Sequence, residues 1–255
     1  MVELNTIYNE DCLVGMADIP DKSVDMILCD LPYGTTRNKW DTIIPLDELW
    51  AQYERVIKDN GAIVLTAMQP FTSNLVMSNP RLFKYDWVWK KPKGTGHLNA
   101  KRQPMRDKED ILVFYKKQCT YNPQMTLGTP YKDKAGKDYS GNTSMTDSYG
   151  TYSNYREVNT GFRYPKQIQE FPIVERGTVH PTQKPTEMFE YLIKTYTNEG
   201  ETVLDNCMGS GTTAIAAIST GRNYIGYELD PDYHRLAEER VANHVADTDE
   251  KETIN

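Results

Sequence analysis

Three short apolar runs in this 255-residue chain stop at an acidic side chain. Val24–Cys29 (VDMILC) runs into Asp30, Thr202–Asp205 (TVLD) closes on its own aspartate, and Asn223–Tyr227 (NYIGY) runs into Glu228. A short, mostly apolar run such as Val24–Cys29 suits a strand buried on both faces, the kind found in parallel sheets, and the other two are expected to be short strands as well. Helical patterns separate them. Leu46, Leu49, Trp50, Tyr53, Val56 and Ile57 recur at helix spacing within 45–58, and Asp59-Asn60-Gly61 is expected to stop that helix before a strand at 62–66. Further helices are predicted over 71–78, 185–196, 212–220 and 232–245, and further strands over 85–89 and 111–115. Strands alternating with helices predict an α/β fold, with a mostly parallel sheet and helices on both faces. Such sheets bind ligands beyond the carboxyl ends of their strands, where Asp30, Asp205 and Glu228 fall.

Residues 118–170 break this pattern. They are rich in Tyr, Gly, Ser, Asn, Thr, Lys and Pro and show no helical period, so an irregular insert is expected there. It divides the chain into 1–117, 118–170 and 171–246, with a charged tail at 247–255 expected to fray. The net charge of −7 is unevenly spread: 14 of the 29 Lys and Arg lie between residues 81 and 137, where they outnumber the acids more than two to one. A basic middle on an acidic body fits contact with phosphates, and equally fits a solubilised surface insert. The candidate phosphate ligands are Arg37, Lys39, Lys90, Lys91, Lys93, Lys101, Arg102 and Arg106. No run of about 18 apolar residues is present, so no membrane span is expected. The N-terminal residues lack a secretory layout, and a cytoplasmic location is expected. Cys12, Cys29, Cys119 and Cys207 show neither zinc spacing nor a CxxC pair, the four histidines are scattered, and no metal is expected.

Three motifs carry chemistry. Asp30-Leu31-Pro32-Tyr33-Gly34 follows a strand and is, taken alone, a strand running into a turn. The segment 203–213 (VLDNCMGSGTT) passes from a strand through a glycine turn into a helix. Gly209 and Gly211 permit a tight turn and close approach of a ligand, while helix-start N–H groups and the hydroxyls of Thr212 and Thr213 suit an anion. With Glu228 placed to receive ribose hydroxyls, this segment suggests an adenosine-type cofactor without saying which. The third motif, His180-Pro181-Thr182-Gln183-Lys184-Pro185, precedes a helix, and Lys184 there suits an anionic cofactor tail.

In this order the segments resemble the β-class DNA amino-methyltransferases of restriction-modification systems and their phage or solitary relatives. DLPYG at 30–34, a variable stretch at 118–170, HPTQKP at 180–185 and MGSGTT at 208–213 carry the resemblance. Asn9-Glu10-Asp11-Cys12 resembles the family's opening, where the acid matching Asp11 contacts the cofactor's adenine, and 107–114 (DKEDILVF) resembles a motif near the target-base pocket. The resemblance implies a Rossmann-like methyltransferase with a seven-stranded, circularly permuted sheet and a target-recognition insert. It implies S-adenosylmethionine as cofactor and S-adenosylhomocysteine as product. Asp11, Cys12, Asp30, His180, Thr182, Lys184, Asp205, Cys207, Met208, Gly209, Ser210, Gly211, Thr212, Thr213 and Glu228 are then the expected cofactor residues.

The catalytic residues implied are Asp30, Leu31, Pro32 and Tyr33. An adenine amino nitrogen is a poor nucleophile because its lone pair is delocalised. Acceptors from the Asp30 side chain and the Leu31 carbonyl would free that lone pair, with Tyr33 stacked on a base flipped out of double-stranded DNA. An aspartate-led motif usually accompanies adenine N6 methylation in this family, and a serine-led one cytosine N4. No cysteine follows a proline, so the nucleophile of cytosine ring-carbon methylation is missing. Two departures stand out: Leu31 replaces the first proline of DPPY, and Asn206-Cys207 replaces Pro-Phe, which predicts weaker cofactor contact. A cognate restriction endonuclease and a homodimer are further expectations. A cytosine-N4 enzyme, a nicotinamide-dependent oxidoreductase and a catalytically silent DNA-binding module are the competing readings.

Overall fold

The computed structural model describes residues 2–34, 41–130, 143–146, 150–153, 161–173 and 183–253. Arg37, Lys39, His180 and Thr182 lie outside the described residues. The strands are β1 (Thr6–Tyr8), β2 (Val24–Cys29), β3 (Ile57–Ala67), β4 (Phe83–Thr95), β5 (Arg106–Phe114), β6 (Thr126–Leu127), β7 (Thr143–Thr146), β8 (Gly150–Ser153), β9 (Phe162–Arg163), β10 (Ile168–Glu170), β11 (Thr202–Asp205) and β12 (Asn223–Tyr227). The helices are α1 (Cys12–Met16), α2 (Leu46–Val56), α3 (Phe71–Ser78), α4 (Thr186–Tyr196), α5 (Thr212–Ser219) and α6 (Pro231–Thr253).

The main sheet runs β1-β12-β11-β2-β3-β5-β4-β10. All its pairings are parallel except β3–β5 and β5–β4. It holds eight strands rather than the expected seven, because β10 adds a short parallel edge beside β4. Strand β11 pairs with β2, Val203 with Met26 and Leu204 with Ile27, so the two ends of the sequence meet in the middle of the sheet. Side chains alternate across it with period two, as the pleat requires. Leu65, Leu112, Leu204 and Ile225 enter a core with α1, α2 and α3. Val64, Val113, Val203 and Tyr224 enter the opposite core with α4, α5 and α6.

Three sequence expectations are corrected. Helix α2 ends at Val56 and β3 begins at Ile57, so Asp59-Asn60-Gly61 lies inside the strand, where the pairing with β2 shifts register. The charged tail is helical to Thr253, because nothing in 247–253 breaks the helical run. The insert is narrower than 118–170: Pro123–Pro165 is the separate compact unit. Thr120 and Asn122 donate backbone hydrogen bonds to Asn60 and Thr195, and β10 is part of the main sheet, so these residues belong with the larger body. Within the smaller unit β6 pairs with β9, and β7 with β8, both antiparallel. No helix among the described residues is long and apolar enough to cross a membrane.

Candidate active site

The pairing of β2, β11 and β12 brings Asp30, Asp205 and Glu228 to one edge of the sheet, at adjacent carboxyl ends. Each is held differently. Asp30 uses both carboxylate oxygens. Its Oδ2 receives the Lys184 ammonium at 2.6 Å. Its Oδ1 accepts from the Tyr33 hydroxyl at 2.7 Å and from the Thr66 hydroxyl at the end of β3. The Tyr33 ring stacks on Phe71 at the start of α3, with centroids 5.3 Å apart. Burial, then the Asp30 charge, pushes the Tyr33 phenol well above its ordinary pKa, so it remains a donor.

Lys184 is only 7% exposed and meets a second carboxylate, Glu109 Oε2, at 3.2 Å. That oxygen makes a charge contact at a poor hydrogen-bonding angle and has no other partner among the described residues, while Oε1 takes the Lys91 ammonium at 2.5 Å. Lys184 therefore faces Asp30 and Glu109, where a cofactor tail was expected. Burial works against its charge, but the two carboxylates outweigh it and hold its pKa above the ordinary lysine value.

Asp205 ends β11 and is fully enclosed. It accepts from the Cys207 amide at 3.0 Å and from the Thr213 hydroxyl. Burial pushes its carboxyl up to about 6. The Thr213 hydroxyl is thus already engaged, and Ser210, Thr212 and Thr213 are all buried. The turn then rises through two left-handed glycines. At Gly209 (φ +55°) a Cβ would meet nothing nearer than the Cys207 carbonyl at 3.9 Å. At Gly211 (φ +81°) it would meet Ala237 Cβ of α6 at 3.2 Å. Only Gly209 opens toward a ligand; Gly211 is small to admit a helix. Arg240 of α6 donates to the Ser210 carbonyl, and Met208 donates from its amide to Tyr227 at 2.8 Å and packs over Gly226.

Glu228 bridges this turn. Its Oε2 accepts from the Gly209 amide at 2.7 Å and its Oε1 from the Asp230 amide at 2.9 Å. Burial raises its pKa. Asp11 caps α1 by accepting from the Leu13 amide at 2.8 Å, which sets Cys12 against the turn. The Asn206 amide lies 3.5 Å from both the Cys12 and Cys207 sulfurs. Contact with Cys207, then burial, raises the Cys12 thiol; burial pushes Cys29 up to about 12.

Among the expected phosphate ligands, Lys101, Arg102 and Arg106 are exposed around the turn joining β4 to β5, as is Lys93. Lys90 is exposed and paired with Glu170 at 2.7 Å. Lys91 is corrected: its ammonium is turned inward onto Glu109 and lies 4.9 Å from the Trp89 ring centre. Sequence reasoning passed over Thr66 and Glu109. The available signals were a polar residue closing the apolar run AIVLT and, inside the stretch 107–114, an acid two positions before ILVF.

A family model described as DNA methylase matches residues 24–239. The Type II methyltransferase M1.MboII of Moraxella bovis is 27% identical, over 91% of this chain and 95% of its own. The DNA adenine methyltransferase YhdJ of Escherichia coli (strain K12) is 29% identical, over 95% of this chain and 85% of its own. The solved M1.HpyAVI–SAM complex superposes with a TM-score of 0.62 at 26% identity, covering 92% of this chain and 98% of that one.

Proposed function

This chain belongs to the DNA methylase family and is a DNA amino-methyltransferase, and from that premise we propose that it carries a methyl group from S-adenosylmethionine to N6 of adenine in double-stranded DNA. The observation that carries the choice of adenine is Asp30 at the head of the turn, its carboxylate fixed through Oδ2. Cytosine N4 is the second reading, because the matched family takes its name from both amino groups. The nicotinamide-dependent reading gives way to the family.

The residues present fit the cofactor. The space beside Gly209 is open, and Glu228 uses two of about four acceptor positions, leaving room for ribose hydroxyls. Asp11, Cys12, Met208 and the turn 205–211 line the same edge. When bound, the cofactor supplies a methyl group already activated by its sulfonium. This chain's residues supply orientation. Asp30 Oδ1 and the Leu31 carbonyl accept the two N–H bonds of the amine, drawing the nitrogen toward a pyramidal shape. Leucine keeps the carbonyl that proline would offer. The amine enters by taking the place of the Tyr33 or Thr66 hydroxyl on Oδ1. Tyr33, backed by Phe71, is the platform on which the flipped base stacks. Lys90, Lys93, Lys101, Arg102 and Arg106 hold phosphates, and the unit Pro123–Pro165 reads the target sequence. A cognate restriction endonuclease and a homodimer rest on the resemblance alone.

The test is mass spectrometry of nucleosides from a methylation-free host expressing the protein. N6-methyladenine is expected. N4-methylcytosine would transfer the reading to the second amino group, and no modified base would leave a silent DNA-binding module.

A further inference from the structure

Lys184 stands where a helix least favours a cation. It directly precedes Pro185, the N-cap of α4, so its charge adds to the positive end of the helix dipole. Burial adds a second penalty. Stability alone does not explain such an arrangement, because buried ion pairs are often replaced by apolar side chains without loss. What offsets the penalty is local and directed: Asp30 at 2.6 Å and Glu109 at 3.2 Å. Glu109 is held in turn by Lys91 at 2.5 Å. Lys91, Glu109, Lys184 and Asp30 thus form a row of alternating charges drawn from β4, β5, the approach to α4 and the end of β2. Side-chain exposures along it are 13%, 7%, 7% and 23%, so it opens only at the carboxylate assigned to the target amine.

We propose that Lys184 and Glu109 are positioning residues for methyl transfer: Lys184 clamps Asp30 through Oδ2 and leaves Oδ1 to the amine, and Glu109, anchored by Lys91, fixes Lys184. This rests on the amino-methyltransferase reading and replaces a cofactor-tail role for Lys184. A carboxylate clamped at one oxygen cannot rotate away from the incoming N–H. The two hydroxyls now on Oδ1 mark the direction from which donors reach it. A displacement of about 1 Å in such a group costs roughly 100-fold in rate.

Among the described residues, the charged and titratable groups facing Lys184 are Asp30, Glu109 and the Tyr33 phenol, whose ring centre is 5.7 Å from Nζ; Glu109 also faces Lys91. Neutralising Glu109 removes one of the two charges that raise the Lys184 pKa. The alkaline limb of the kcat profile then moves to lower pH, which a purely structural role for Glu109 would not produce.

The experiment uses the full chain, with DNA from a methylation-free host as substrate. It compares wild type, Glu109→Gln, Lys184→Met and Lys184→Arg. Wild-type turnover, read first, tests the amino-methyltransferase reading by itself; no turnover takes both down. With turnover present, Glu109→Gln is expected to lose about 10- to 100-fold in kcat, with S-adenosylhomocysteine affinity by calorimetry within about twofold of wild type. Lys184→Met loses at least as much at unchanged affinity, and Lys184→Arg recovers part. Two outcomes overturn the proposal. One is weakening of S-adenosylhomocysteine binding in Lys184→Met by about tenfold or more with kcat preserved at saturating cofactor. The other is wild-type kcat and pH profile in Glu109→Gln. That variant keeps the side chain's shape, so it decides the matter even if Lys184→Met fails to fold.

Discussion

The Tyr53 hydroxyl of α2 donates a 2.5 Å hydrogen bond to the Asn206 side chain, joining two fully buried polar groups 153 positions apart. This explains one departure from the family's usual sequence. Where that family carries proline, this chain has an amide that satisfies a tyrosine hydroxyl deep in the core.

Asn206→Ala therefore strands the Tyr53 hydroxyl. The loss of stability is expected to be about 1–3 kcal/mol by chemical denaturation. Adding Tyr53→Phe should recover part of it, because no unpaired hydroxyl then remains. Equal stabilities for the single and double variants would show that the pair is not coupled.

Asp30→Ala should reduce methylation by at least about 10²–10³-fold, the scale for loss of a preorganised polar partner. Binding of S-adenosylhomocysteine should be nearly intact, since the glycine turn is built from β11, β12 and α6. Incorporation of labelled methyl groups into DNA at the wild-type rate would remove Asp30 from the chemistry.

The two glycines should part company on mutation. Both are left-handed, so alanine at either costs roughly 1 kcal/mol in backbone strain. Gly211→Ala adds a tight contact with Ala237, whose helix must give by a few tenths of an ångström, and should lower stability by a further ~1 kcal/mol. Gly209→Ala meets open space and should chiefly weaken cofactor binding. Thermal melting paired with calorimetry separates the two.

Asp205 imposes a pH dependence of definite sign. Its folded carboxyl is raised from 3.8 to about 6, so across that window the folded protein keeps a proton that the unfolded chain has released. Its contribution is most favourable below pH about 4, declines as pH rises to about 6, and is constant above, a change of roughly 3 kcal/mol. Asp205→Asn should flatten that part of the stability profile. An unchanged difference between wild type and variant from pH 4 to 7 would contradict the assignment.

Much of the sheet was readable because burial on both faces leaves short, mostly apolar runs: Val24–Cys29, Thr202–Asp205 and Asn223–Tyr227 form strands over those spans. The α2–β3 boundary was not, because Asp59-Asn60-Gly61 carries turn-forming residues into a strand whose register shift absorbs them. Asp30 and the glycine turn were recognisable as motifs, being local in sequence. The Lys184–Glu109 contact was not, since it joins residues 75 positions apart through the fold. Nor does composition tell Lys91 from Lys90; adjacent positions on a strand face opposite ways, and only one of the two turns inward.

The placement of β11 between β12 and β2 also governs the order in which the protein can be completed. During synthesis β2 emerges early but must wait for residues near 203 before its second neighbour exists. Until then one of its edges, and the apolar surface beside it, stays exposed to other chains. The sheet therefore cannot close around β2 before β11 is available, and a chain in which that edge is still open is the form most exposed to aggregation.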